Sequence, residues 1–142
     1  MKDFAGTFVG TGVVCLTNHS TNQTEKITTD FEVVIEKIYD NNYSIDVSIN
    51  KNLTLESNHS NAFLRKSDLT LNFSVGTKTQ ISDGDVTVDV KQDGLGLIDL
   101  SKYEKCGYIL FNLSTQGKYT LDDINKTYAI STVTKLKRKK LL

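Results

Sequence analysis

The side chains with most chemistry in this 142-residue chain are two histidines, two cysteines and a lysine-rich end. His19 and His59 both sit in Asn-His-Ser, forty residues apart. If both loops met at one rim, the imidazoles could share a metal, with Asp or Glu completing the shell. No spacing supplies a third ligand, so exposed turn histidines are the expectation. Cys15 and Cys106 are too few and too far apart for a C-x-x-C cluster. Two small core thiols are expected, and spacing alone leaves open whether they bridge neighbouring strands. Gly10-Thr11-Gly12 and Gly94-Leu95-Gly96 are not dinucleotide fingerprints, because no helical period follows either. No Ser-His-Asp set or carboxylate pair can be assigned from local motifs. The chain is expected to be a non-enzyme without cofactor or metal.

The charge is balanced in total and segregated in place. Lys plus Arg and Asp plus Glu are each 17, yet Lys135, Lys137, Arg138, Lys139 and Lys140 all lie in the last eight positions. Residues 1–134 therefore carry 12 basic against 17 acidic residues. A body with that deficit has no broad basic face for nucleic acid. Those five cations are the candidate contact for a protein or anionic partner, the other readings being a solvated end or an import signal. The division expected is one domain, 1–134, and a basic tail, 135–142.

The elements that must position these residues are strands. Tyr43 to Asn50 alternates apolar and polar at every step, and the same period recurs at Phe31, Val33, Ile35, at Leu69, Leu71, Phe73, Val75, and at Val86, Val88, Val90. Period-two alternation marks a half-buried strand. Asp40-Asn41-Asn42, Asp83-Gly84 and Asp93-Gly94 read as hairpin turns. Gln116-Gly117 and the polar stretch from Asn18 to Thr24 read as further breaks. Strands are expected near 4–17, 24–39, 43–56, 61–66, 68–77, 78–82, 85–92, 95–100, 105–115 and 126–135, with a helical turn at Thr120 to Ile124. Eight to ten such strands are best satisfied by closing the sheet, which removes exposed edges. The fold class expected is all-β, a small antiparallel up-and-down barrel, with a two-sheet sandwich as the alternative. Gly6, Gly10 and Gly12 inside the first strand mark a bend or a close backbone approach.

At 38% apolar and 24% charged, the composition is that of an ordinary globular domain. No apolar stretch approaches the 20 or so residues of a spanning helix. No apolar run follows Met1-Lys2-Asp3, which makes a cytoplasmic location the expectation. Eight asparagines, Asn18, Asn22, Asn42, Asn52, Asn58, Asn72, Asn112 and Asn125, open Asn-x-Ser/Thr triplets. Such triplets matter only in secreted chains, so they read here as accidents of an Asn-rich, Pro-free composition.

The opening Phe4-Ala5-Gly6-Thr7-Phe8-Val9-Gly10 resembles the first-strand signature of the lipocalin-like superfamily. It is closest to the intracellular fatty-acid-binding proteins, with Phe8 where they have Trp. That resemblance implies a barrel holding a small apolar ligand. The family's last strand has a basic-x-Tyr element that fixes a ligand carboxylate, and Lys126-Thr127-Tyr128 lies in the corresponding place. The polar Thr17 to Thr29 departs from the helical lid which that family inserts there. On this reading Phe31, Tyr43, Phe73 and Phe111 line the ligand and Lys126 with Tyr128 anchor it. The same aromatics could instead fill an interior of about eight strands, leaving a structural or protein-interaction domain, such as a viral or other assembly component.

Overall fold

The computed structural model describes residues 4–19, 21–50, 55–57, 60–83 and 85–140. They form one antiparallel sheet in which β1 (Gly6–Asn18), β2 (Gln23–Tyr39), β3 (Asn42–Asn50), β4 (Leu55–Ser57), β5 (Ser60–Arg65), β6 (Thr70–Asp83), β7 (Val86–Asp99), β8 (Tyr108–Leu121) and β9 (Ile124–Arg138) follow one another up and down, β4 and β5 running in the same direction. β1 lies between β2 and β9, and the β2–β3 ladder closes the order into a ring. β4 and β5 share one place between β3 and β6, so the ring is eight strands round.

The register fixes the shape of this barrel-like ring. Ile27 on β2 faces Val14, and the row runs on through Thr132, Leu113, Gly96, Phe73, Ala62 and Tyr43 to meet β2 again at Lys37. One circuit therefore climbs ten residues, from 27 to 37. Ten residues of about 3.3 Å against eight strand spacings of about 4.8 Å tilt the strands by about 40°. Alternation then sends one set of side chains into the ring. Phe8, Val14, Phe31, Val33, Leu71, Ile98, Phe111 and Ile130 belong to it and are 0–2% exposed. Thr132 and Thr134 share this dry side: the Thr132 hydroxyl donates to the Val13 carbonyl at 2.7 Å, so Thr134 is the donor across the 2.8 Å between the two hydroxyls.

The expected turn at Asp40-Asn41 joins β2 to β3, with Asp40 at a φ of 46°. Three other expectations are corrected. Asp93-Gly94 is not a turn: β7 runs straight through it, because a side chain at Gly94 would strike the Ser114 backbone of β8. Gln116-Gly117 likewise lies inside β8, where Gly117 gives room to the Lys91 carbonyl. Both glycines serve close approach of neighbouring backbone, which a one-dimensional reading takes for chain reversal. Thr120 to Ile124 is not helical; Asp122 and Asp123 both have positive φ, 51° and 63°, and make the two-residue turn between β8 and β9.

The one helical turn is α1 (Tyr103–Cys106), closed by Gly107 in the left-handed region. It brings Tyr103 edge-on to Phe4 and Phe8, with ring centroids at 6.2 and 5.7 Å, over one end of the ring. The last strand continues to Arg138, so residues 135–138, expected in a tail, are part of the sheet.

The ring of Phe73 lies over Gly96 on the neighbouring strand, where an added methyl would collide with it. Gly96→Ala should lower stability by about 1–3 kcal/mol through displacement of that ring. Phe111→Ala should cost about 3–5 kcal/mol as a core truncation. Urea denaturation midpoints check both, and an unchanged midpoint for Gly96→Ala would contradict the stacking.

Candidate functional site

The aromatic residues expected to line a ligand are held inside the ring. Phe31 is 2% and Phe111 0% exposed, and their rings face each other across it at 6.1 Å. Tyr43 and Phe73 are also buried, in register with Ala62 between them. Lys126, half-buried, and Tyr128, buried, follow on β9 on the same inward side. They are not beside the Phe31–Phe111 pair. The register partner of Phe111 on β9 is Thr134, six residues from Tyr128, or about 20 Å along the strand.

Around Tyr128 the structure gathers polar groups at the far end of the ring. Lys126 faces Tyr119 across the β8–β9 ladder, and Asn18, the β1 partner of Tyr128, donates its Nδ2 to the Tyr119 hydroxyl at 3.0 Å. Burial, then the Glu25 carboxylate, then Tyr119, push the Tyr128 phenol up to about 12.

The basic end is divided in use. Arg138 is a structural clasp: Nε donates to the Tyr103 hydroxyl and Nη1 to the Ala5 carbonyl, each at 2.7 Å, with the guanidinium 5.0 Å from the Phe8 ring centroid. Lys139 Nζ is 3.9 Å from Glu32. Lys135 lies over the Tyr108 ring at 4.2 Å, and Lys137 and Lys140 are exposed. The two cysteines are free, Cys15 half-buried in β1 and Cys106 exposed in α1. His19 is exposed and donates its backbone N–H to the Thr127 carbonyl; His59 lies outside the described residues.

Sequence reasoning missed a surface that only the register creates. An open cavity of about 1130 Å³ is lined from every place in the ring, mostly by the set of side chains that alternates with the buried one, and also by Ala62, Phe73, Leu113 and Thr132 of the buried set. One row of its wall reads Val133, Asn112, Leu97, Asn72, Phe63, Asn42 across six successive strands, apolar and amide in turn. The next row is Ser131, Ser114, Leu95, Ser74. Val13, Phe63, Leu95 and Val133 are 44%, 57%, 69% and 67% exposed, wet apolar side chains that all border this cavity. Lys26 is the one charged residue among the described lining residues, and Cys15 stands opposite it on β1. Such a wall offers apolar contact with amide and hydroxyl hydrogen bonding, with the Lys26 amine and the Cys15 thiol at one side.

The Tyr128 phenol supplies a test of its environment. Its folded-state value lies above the ordinary tyrosine value of 10.0, so its stabilising contribution is complete below pH 10 and lost as pH rises towards 12. Ultraviolet titration should show one phenol ionising late, and Tyr128→Phe should remove that phase and reduce the alkaline loss of stability between pH 10 and 12. A normal titration of Tyr128 would contradict its burial.

No family model, curated protein or solved structure matches this chain, so these comparisons lend no support to a lipocalin-like relationship.

Proposed function

We propose that the chain is a non-catalytic binding protein for a small, largely apolar molecule, seated in the open cavity that Phe73 helps to line and not between the packed rings of Phe31 and Phe111. The observation that carries this reading is the row of alternating apolar and amide side chains in the wall of the 1130 Å³ cavity. Apolar walls with a few convergent polar groups are the usual make-up of small-molecule sites. Phe31 and Phe111 are already in contact with each other, and a ligand between them would have to displace packed side chains. Titration with the neutral solvatochromic dye Nile red should give a saturable blue-shifted signal. Leu95→Asp with Val133→Asp should weaken it at least tenfold, while Lys126→Ala with Tyr128→Phe should leave it unchanged. No saturable signal, or loss only in the Lys126 and Tyr128 variant, would contradict the assignment.

A second reading, docking of an anionic partner, is favoured by the exposed Lys135, Lys137 and Lys140. Removing residues 135–142 would unravel β9 and take the Arg138 clasp with it, so the apt variant is Lys135→Glu with Lys137→Glu. It should abolish low-salt retention on heparin if this reading is right, because attraction between exposed charges is screened. Retention equal to that of the unaltered chain would contradict it.

A further inference from the structure

Eight of the eleven asparagines open an Asn-x-Ser/Thr triplet, and the chain has no proline to spoil one. Ser and Thr are 28 of 142 residues, so unbiased placement would put one two positions after about two of the eleven. Strand alternation enriches polar residues two apart, but it does so equally in both directions. Ser or Thr stands two positions before Asn in only three cases, Asn22, Asn50 and Asn72. Aspartate has similar turn and surface habits, yet only four of twelve (Asp46, Asp68, Asp85 and Asp99) have Ser or Thr two positions on. The excess is thus specific to asparagine and to one direction, the signature of the N-glycosylation acceptor and not of an Asn-rich composition.

We propose that this chain is a glycoprotein carrying N-linked oligosaccharide at Asn22, Asn72 and Asn125. In the transfer, the amide Nδ2 attacks the anomeric carbon of an oligosaccharide held on a lipid diphosphate. The C–N bond forms as the C–O bond to the diphosphate breaks; the lipid diphosphate leaves with the electron pair, and the amide proton passes to a base of the transferase. The fold selects among the triplets. Asn22 is exposed in the β1–β2 turn at a φ of 55°, Asn72 is exposed on the outward side of β6, and Asn125 is exposed where β9 begins. Asn18 and Asn112 are half-buried, with Nδ2 donating to the Tyr119 hydroxyl and to the Leu97 carbonyl. The Nδ2 of Asn72 donates to the Thr70 hydroxyl on its own strand at 3.0 Å, so exposure is what sets Asn72 apart. Asn42 is half-buried and faces Phe63. Asn52 and Asn58 lie outside the described residues.

The inference is drawn from observations other than those behind the ligand reading, but the two meet at Asn72, where a glycan would stand between Phe63 and Leu97 in the cavity wall. It carries the chain into the secretory route, where the transfer takes place.

The test is peptide mapping of the full chain from its native source after digestion with peptide-N-glycanase in ¹⁸O water, which converts each glycosylated Asn to labelled Asp. Label is expected at Asn22, Asn72 and Asn125 and not at Asn18 or Asn112. An unlabelled native chain would overturn the proposal, and label confined to the half-buried positions would overturn the selection by the fold. Expression of the full chain behind a secretion signal gives a second readout. Its glycanase-sensitive mobility shift should fall in the Asn22→Gln, Asn72→Gln, Asn125→Gln variant; a shift of undiminished size there contradicts the assignment.

Discussion

The constraint on which the structure depends is the ten-residue climb of its register around eight strands. Closure of an antiparallel ring leaves little free edge: the β7–β8 ladder runs only from Asp93 with Gln116 to Asp99 with Leu110, so residues 86–92 are in ladder with β6 alone. A strand held on both sides cannot slip by one residue without turning its apolar side chains outward. That rigidity of register makes a two-residue alternation enough to separate a dry side from a wet one along strands of up to 17 residues. It also sets the tilt, and with it the width of the interior. At this strand number the interior is just wide enough for side chains to fill, and Phe8, Phe31 and Phe111, each nearly without solvent contact, fill it.

Filling the ring from inside has consequences at its bends. The backbone at Gly10 and Gly12 of β1 leaves no space for a side chain against Leu136 and Thr134 of β9. Packing there is backbone against side chain. The end beneath is shut by α1, whose Tyr103 meets Phe8 on one face and accepts a hydrogen bond from Arg138. A cation that the sequence places in a solvated tail is thus spent on holding the first strand, the last strand and the only helical turn of the described residues together. With one set of side chains committed to packing, the other keeps apolar side chains on alternate strands wet.

Much of the fold was legible in the sequence because the signal lay along the chain. The alternation from Tyr43 to Ile49 and from Leu71 to Val75 named the inward residues, and the Asp40-Asn41 turn named a reversal. Closure followed from counting strands and asking what becomes of the edges. What failed were local signs with two physical causes. Asp93-Gly94 carries turn chemistry, but its glycine answers to the Ser114 backbone on the next strand, which no window of sequence contains. Asp122 and Asp123 suit a helix start equally well as a two-residue hairpin, and the ladder between β8 and β9 decides between them. The wall of the open cavity was illegible for a related reason. Val133, Asn112, Leu97 and Asn72 form a pattern only across strands, at right angles to the direction in which a sequence is read. Lys126 and Tyr128 could be found as a pair, but their distance from Phe111 depends on the register and not on their spacing.

The most direct measurement is methyl NMR with a soluble paramagnetic agent, which broadens the signals that solvent can approach. The account predicts strong broadening at Val13, Leu95 and Val133 and none at Val33, Leu71, Ile98 and Ile130. Equal broadening of both groups, or broadening of the inward group, would mean that the ring is not closed around a packed interior, and would contradict it.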